Sequence, residues 1–455
     1  MAIHNRVVRE MQPLVAARTE RSIHERFASG IGWNSLFMIS TQGSTFAVNI
    51  LLANLLGRQV FGEFAIVLNT LVTLAGIGQM ATGITAAKFV AESRISNKRV
   101  AGEILGLCSV LTFVTGLIGS GLLIGLSPWI SGALLSAPKL KGALIISAAA
   151  SLFLTMNAFQ VGALSGLEAF RSSALVSCVM GFVHVAVCGI GGWLFGLDGV
   201  LWALVISAIL RWAVFAQLLR FEAKAQGIKV SLAGWLSQKR ILHSFTIPAA
   251  VCGMSSMPAL WAANALLARQ NGGLGLLALY SAAFQLKMIV ILLPSMFNNV
   301  GLPILSHQRG IGDVAGYRRA FWLNVSIAGG AAAVAAIAGA AMGRTLLRMY
   351  GTAFEGAYDV LLILLCAAGV EGVAIGAYQA LQSKGRMWLA FLSIALPSDV
   401  LTVVLAYVLV GAYGLMGLAS AYSIALLVRS ILTFVYAYLV GLELSHAHDR
   451  AQGAL

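Results

Sequence analysis

The sequence predicts an all-α membrane protein with twelve transmembrane helices, and three observations carry this prediction. Of the 455 residues, 59% are hydrophobic and only 10% are charged, whereas soluble domains carry about 25% charged residues to cover their surface. Many apolar runs approach the roughly 20 residues that a helix needs to cross a bilayer. These runs are continuous and do not alternate every second residue. They therefore satisfy their backbone hydrogen bonds as helices and not as strands of a barrel.

Apolar runs of sufficient length occur twelve times along the chain. They lie at residues 30–56, 64–87, 102–127, 142–166, 172–196, 199–219, 243–268, 274–304, 320–342, 357–381, 387–410 and 414–440. The longest polar connection follows the sixth run. The predicted organisation is therefore an N-terminal segment (1–29), a six-helix bundle (30–219), a linker (220–242), a second six-helix bundle (243–440) and a tail (441–455).

The distribution of lysine and arginine predicts the orientation of these spans. With the N-terminus in the cytoplasm, 21 of the 30 basic residues fall in cytoplasmic segments, 6 fall on the opposite side and 3 fall within spans. Such an excess marks the cytoplasmic face of a membrane protein. We therefore expect a bacterial inner-membrane protein with both termini in the cytoplasm, and the formal charge of +14 indicates orientation rather than nucleic-acid binding.

Enzymatic and cofactor-binding motifs do not emerge from the sequence. The five cysteines all lie in apolar runs without a CxxC pair or a Cys/His cluster, so neither disulfides nor a metal site are expected. No GxxxxGK[ST] loop occurs, which argues against ATP hydrolysis. The predicted loops leave no room for a soluble domain. We expect a protein that is not an enzyme and needs no cofactor.

The two predicted bundles resemble each other weakly. When the second bundle is aligned on the first so that Arg171 meets Arg386, Gly196 meets Gly411 and Gly199 meets Gly414. A duplicated six-helix unit is typical of transporters, whose binding site lies where the repeats meet. Because glycine is common in apolar helices, coincidental alignment is the competing interpretation.

Three ionisable residues are predicted deep in the second bundle: Lys287 in span eight, Glu371 in span ten and Asp399 in span eleven. Ionisable groups at this depth are costly and usually face a cavity or a partner. Lys287 either binds an anionic part of a substrate or pairs with an acid on a neighbouring helix. His184 in span five meets Asp399 in the same alignment of the bundles. We assign Asp399, Glu371 and His184 a coupling role, against the alternative that His184 is a hydrogen-bonded core residue.

Further basic residues occupy the ends of the predicted spans. Lys88 lies at the cytoplasmic end of span two, and Arg58 and Arg269 lie at the outer ends of spans one and seven. We assign all three to substrate binding, against the alternative of ordinary charge distribution. Arg211 and Arg429 are expected to extend toward the cytoplasmic headgroups, as long basic side chains do.

Proline and glycine mark candidate hinges in two spans. Span one contains Gly43, and span seven contains Pro248, Gly253 and Pro258. Proline interrupts the helical hydrogen bonds and glycine softens the helix, so these residues are candidate hinges. A static kink is the alternative.

Residues 51–92 resemble the start of lipid-linked polysaccharide flippases, the O-antigen and exopolysaccharide translocases of the MATE-like superfamily. The shared pattern is a small-residue turn with an aromatic–glycine pair, followed by a helix that runs to a basic residue: Leu56, Gly57, Phe61, Gly62, Phe64 and Lys88. The end of span eight, PSMFNNVGLPILSHQ, is similar to its counterpart in the second half. The resemblance extends over residues 30–440.

This resemblance implies two bundles arranged as a V around a central cavity, and alternating access for an undecaprenyl-diphosphate-linked oligosaccharide. It also implies membrane lipids, a polysaccharide polymerase and a chain-length regulator as partners. The physical task fits the composition, because a sugar diphosphate needs a polar, partly cationic path while its isoprenyl tail can remain in lipid.

Two other functions compete with the flippase. A cation-coupled small-molecule exporter of the same superfamily would be expected to carry an acid within span one or another helix of the first bundle, and residues 30–56 contain none. A membrane component of a glycan assembly complex that does not itself transport predicts no substrate-dependent movement.

Overall fold

The computed structural model describes residues 23–232, 238–254, 256–310, 314–383 and 387–452, and every regular element in these ranges is helical. Eleven helices of eight residues or more follow one another, with short helical turns between some of them. They are α1 (Ile23–Gly78), α2 (Thr82–Ser93), α3 (Lys98–Trp129), α4 (Lys141–Gly166), α5 (Phe170–Ala225), α6 (Ile247–Met254), α7 (Ser256–Ala268), α8 (Gly273–Gly310), α9 (Val314–Arg348), α10 (Tyr358–Ser383) and α11 (Leu396–Gln452).

Nine helical segments within the described residues are long and apolar enough to cross a membrane. Three of them exceed fifty residues, and each contains one glycine whose backbone leaves the helical conformation. These are Gly57 (φ 72°), Gly196 (φ 59°) and Gly414 (φ 52°). Glycine adopts a positive φ without a steric penalty, so the chain can turn there and begin a second helical run. Each glycine lies at the junction of two predicted spans.

The two halves of the chain pack together mainly at the end that the sequence predicts to be periplasmic. One large apolar core includes Phe61 and Phe64 of α1, Tyr280 of α8, and Tyr350 and Phe354 of the α9–α10 connection. The rings of Phe61 and Tyr350 meet edge to face at 6.3 Å, and those of Phe61 and Phe354 at 5.8 Å. Such aromatic pairs add to the burial of apolar area. This core seals the predicted periplasmic end.

Polar contacts and close backbone approach reinforce the same seal. Arg58 Nε donates a hydrogen bond to the carbonyl of Gly275 at 2.9 Å, and Asn54 Nδ2 donates to the carbonyl of Met349 at 2.6 Å. A Cβ at Gly62 would lie 1.8 Å from the carbonyl oxygen of Leu274. Only glycine therefore permits α1 to approach α8 this closely.

At the predicted cytoplasmic end, the described part of the linker lies against the first half. The Ser231 amide donates to the carbonyl of Gly102 at 3.2 Å, and Gln226 Nε2 donates to the carbonyl of Leu167 at 2.9 Å. The turn before α6 continues this contact, because the hydroxyls of Thr85 and Thr246 lie 3.1 Å apart. The beginning of span seven is thus fastened to the first half.

Several sequence predictions concern residues that the structure does not describe. Most of the predicted N-terminal segment (1–22), part of the linker (233–237) and the repeat residue Arg386 lie outside the described ranges. Several helix boundaries differ from the predictions, and α11 continues to Gln452 in the predicted tail. Helix α1 begins at Ile23, and α5 continues through Ala225 into the predicted linker.

Candidate functional site

A cavity of about 360 Å³ lies within the second half, between α7, α10 and α11. Its wall is mostly apolar, but it includes Ser256, Glu371, Asp399, Tyr422 and Arg429. These residues come from three helices that are separated in sequence, so only the packing of the second half brings them together. The cavity collects two of the three residues that we predicted to be coupling groups.

Lys287 forms an ion pair with Glu371, with 2.5 Å between Nζ and Oε2. Its side chain is 1% exposed, whereas that of Glu371 is 21% exposed. Nζ also donates to the Tyr422 hydroxyl at 2.9 Å and lies 5.5 Å from the ring centre of Phe284. The ammonium is therefore held behind the cavity wall while its acid reaches the cavity. Of the two interpretations of Lys287, the structure contains the acid pair.

A second ion pair joins Arg429 and Asp399 across the same cavity, with 3.7 Å between Nη1 and Oδ1. Ser256 lies between them, because its hydroxyl donates to Asp399 Oδ2 at 3.1 Å and accepts from Arg429 Nη1 at 3.0 Å. Our expectation that Arg429 extends to the headgroups was wrong. The guanidinium instead faces the charge of Asp399 on the first run of α11, and Ser256 links the two groups by hydrogen bonds.

His184 lies in the first half, apart from this cavity. Its Nδ1 is 3.0 Å from the hydroxyl of Ser207 on the second run of α5, and 3.6 Å from the sulfur of Cys188. The Ser207 hydroxyl also bonds the carbonyl of Ala203 at 2.7 Å. The structure therefore does not bring His184 together with Asp399 and Glu371, although the repeat relates their positions.

The other predicted substrate-binding residues are also dispersed. Arg58 belongs to the seal at the predicted periplasmic end, and Arg269 is exposed just beyond the end of α7. Lys88 is exposed at the opposite end, where its Nζ lies 4.4 Å from the ring centre of Phe245 and 4.9 Å from that of Phe89. Lys88, Arg58 and Arg269 therefore do not form one site with Lys287.

The predicted hinges fall in two different backbone settings. Helix α1 runs through Gly43 without a break, and a Cβ at Gly43 would meet nothing within 4 Å. Span seven is divided, since Pro248 and Gly253 belong to α6 and Pro258 to α7. Hinge movement at these residues remains a prediction.

Sequence reasoning missed Ser256 and Tyr422, which join the two ion pairs to the cavity. The repeat contains a signal for Tyr422, because it meets Ser207 in the same alignment that relates His184 to Asp399. In both halves this pair of positions carries polar groups on two successive spans. Ser256 has no comparable signal, because a single serine in an apolar span usually bonds its own helix.

The charge of this cavity is carried by groups that form ion pairs. Its two acids, Glu371 and Asp399, each face a basic group, and each also lines the open volume. A proton or a cation that reached either acid would weaken its ion pair and free Lys287 or Arg429. This arrangement can convert a change in ionic occupancy into a change in helix contacts.

Solved structures with the same overall architecture identify the fold of this protein. The chain is similar to an inward-facing multidrug resistance MATE transporter of the MOP superfamily, with a TM-score of 0.76, 16% identity, and coverage of 92% of this chain and 99% of that one. It is also similar to a MOP superfamily transporter from Pyrococcus furiosus, with a TM-score of 0.68, 16% identity and coverage of 92% and 96%. The fold is that of the MATE-type transporters.

Sequence comparison then identifies the family. The model of the family described as polysaccharide biosynthesis protein matches residues 27–308. An EPS I polysaccharide export inner membrane protein of Ralstonia nicotianae is 24% identical over 361 residues, which cover 78% of this chain and 80% of the relative. Its counterpart in Ralstonia solanacearum is 24% identical over 362 residues, with the same coverage. The chain belongs to the polysaccharide biosynthesis protein family, and the resemblance to polysaccharide translocases is confirmed.

Proposed function

We propose that this protein moves an undecaprenyl-diphosphate-linked oligosaccharide from the cytoplasmic to the periplasmic leaflet of a bacterial inner membrane. The observation that carries the proposal is the match to the polysaccharide biosynthesis family on a MATE-type fold. The relatives are named for polysaccharide export, and a lipid-linked glycan is the substrate that the resemblance to polysaccharide translocases implies.

The proposal includes twelve spans in two six-helix bundles with both termini in the cytoplasm. Nine apolar helical segments were found within the described residues, and dividing the three longest at Gly57, Gly196 and Gly414 gives twelve. The asymmetry of lysine and arginine supports the orientation. The polymerase and the chain-length regulator remain proposed partners.

We assign the seal between the halves to one state of an alternating-access cycle. The contacts of Arg58 with Gly275 and of Asn54 with Met349 close the end that we propose to be periplasmic. Export requires these contacts to break while the two halves rock apart, as transporters with repeated bundles do.

The two ion pairs of the cavity supply the proposed coupling. Protonation of Glu371 or Asp399 releases a basic group and alters the contacts of α7, α10 and α11. His184, at the related position of the first half, is proposed to respond to the same ions. Neutralising these residues should uncouple transport from the proton gradient without abolishing the fold.

A vesicle assay tests the function directly. The purified protein is reconstituted with a fluorescent lipid-linked oligosaccharide, and movement between leaflets is followed by a quencher that cannot cross the bilayer. We expect protein-dependent flipping that falls when the pH gradient is collapsed. Flipping equal to that of protein-free vesicles would refute the proposal. Efflux of a lipophilic cation by the same vesicles would instead support the exporter.

A matched pair of variants tests the coupling role of Asp399. Asp399→Asn should retain flipping and lose its dependence on the pH gradient, whereas Arg348→Gln, in an exposed ion pair with Glu355, should change neither. If Asp399→Asn keeps the full dependence on the gradient, Asp399 has no coupling role.

A further inference from the structure

Arg211 points into the interior of the first half. It lies on the second run of α5, on the same face as Ser207 and Phe215, because residues four apart lie on one side of a helix. Phe215 is 0% exposed, in a core shared with α2, α3 and α4, whereas Ile206 and Leu210 on another face of the helix are exposed. The guanidinium carbon lies 5.6 Å from the ring centre of Phe215. The extension of Arg211 to the lipid headgroups stays a prediction.

Arg211 has no acidic partner among the residues that the structure describes. Its Nε is buried and makes no hydrogen bond there. The two other basic residues within spans, Lys287 and Arg429, are each paired with an acid. In the first half the acids lie at or beyond the ends of the predicted spans, and two of them, Glu63 and Glu103, pair with Lys139 and Arg99. The described interior of the first half thus carries an uncompensated positive charge.

The repeat shows which group is missing. Arg211 follows Gly196 at the same sequence separation at which Arg429 follows Gly414, and these glycines are the turn glycines of the corresponding helix pairs. Arg429 faces Asp399, which precedes Gly414 by 15 residues, and in this register, set by the turn glycines, the position equivalent to Asp399 is Gly181. The second half therefore supplies an anion to its arginine, whereas the corresponding position of the first half carries a residue without a side chain.

We propose that Arg211 is the anion-binding group of a site in the first half, and that its ligand is an oxyanion of the transported molecule. An uncompensated charge at this depth is costly, and a bound anion removes the cost. The planar guanidinium donates two parallel hydrogen bonds to a phosphate or a carboxylate. The inference rests on the proposed function, which offers two such groups: the diphosphate of a lipid-linked glycan and the carboxylate of an acidic sugar.

Calorimetry with defined probes tests the site without a transport assay. The full-length protein in nanodiscs is titrated with farnesyl diphosphate, with glucuronate, and with farnesol as the neutral control. We expect an oxyanion to bind and farnesol to bind more weakly. Arg211→Gln should lower the affinity for that oxyanion by about tenfold or more, and Arg211→Lys should retain part of it. Arg220→Gln, at an exposed position near the end of the same helix, is the matched control and should bind like the wild type.

The unfolding temperature of the ligand-free protein is a second measurement, and it distinguishes a binding role of Arg211 from a structural one. If the charge is uncompensated, Arg211→Gln should unfold at the same temperature as the wild type or at a higher one. If Arg211→Gln lowers the unfolding temperature and leaves the oxyanion affinity unchanged, the proposed site is overturned. It is also overturned if the wild type binds neither oxyanion. Arg211-dependent binding of glucuronate alone would retain the site and identify the ligand as a carboxylate.

The site and the function fail separately. Arg211-dependent binding in a protein that flips no lipid-linked glycan would overturn the proposed function and leave the site. Normal flipping with oxyanion affinity unchanged by Arg211→Gln would overturn the site and leave the function.

Discussion

Neutralising Glu371 should destabilise the protein more than removing its partner Lys287. In Glu371→Gln the Lys287 ammonium stays in place with 1% of its side chain exposed. The Tyr422 hydroxyl and the neutral amide oxygen of the new glutamine can still accept hydrogen bonds, but no negative charge faces the ammonium. In Lys287→Met the acid that remains is 21% exposed and lines the cavity, where it can meet water or take up a proton. The difference in burial therefore predicts the asymmetry.

The magnitudes follow from the cost of an unpaired buried charge. Breaking a buried ion pair by removing one partner costs about 3–5 kcal/mol, which we expect for Glu371→Gln. For Lys287→Met we expect about 1–3 kcal/mol, the cost of leaving a polar group without its partner. The double variant removes both charges, and its stability should return to within about 1 kcal/mol of the wild type. The exposed pair Arg348–Glu355 is the control, and its disruption should cost about 0–1 kcal/mol.

Reversible unfolding in mixed micelles of increasing denaturing detergent measures all four free energies of unfolding. The double-variant cycle then isolates the coupling between the two residues. Equal losses in the two single variants, or a double variant less stable than Glu371→Gln, would refute the reasoning from burial. If Glu371→Gln is as stable as the wild type, the ion pair contributes nothing to the fold, and the acid is available for a purely functional role.

Three further outcomes test the arrangement of the halves. In a background without native cysteines, a disulfide between Thr85→Cys and Thr246→Cys should leave export intact, because the start of span seven is fastened to the first half. Loss of export on oxidation would show that this contact must open. Gly62→Val should weaken the seal, because the new side chain collides with the carbonyl of Leu274. An external thiol reagent should then label an Ala374→Cys reporter more extensively. The control Gly43→Ala should not change this labelling. Reporter fusions at positions 230 and 450 should be active only with a cytoplasmic reporter, and a periplasmic signal at either position would contradict the orientation.

The sequence contained most of the fold because hydrocarbon imposes strict conditions on a chain. Apolar runs long enough to cross a bilayer must be helical there, so composition and run length were enough to predict an all-helical membrane protein. The turn glycines were also visible as repeat positions, although the structure places the positive φ of the second half at Gly414 and not at Gly411. The seal required pairing of distant segments, and Arg58 gave no indication that its partner is a backbone carbonyl.

The site shows the same division. The sequence by itself identified Lys287, Glu371 and Asp399 as costly residues at membrane depth, because hydropathy reports which charges lie in apolar runs. It left open which charged residues pair with each other, because the partners of a side chain depend on which helices pack beside its own. Tertiary structure decided that Lys287 and Arg429 are neutralised by acids, that Ser256 and Tyr422 complete the cavity, and that Arg211 remains without an acid within the described residues. Pairing depends on distances of a few ångströms between helices, and that information is absent from a one-dimensional pattern.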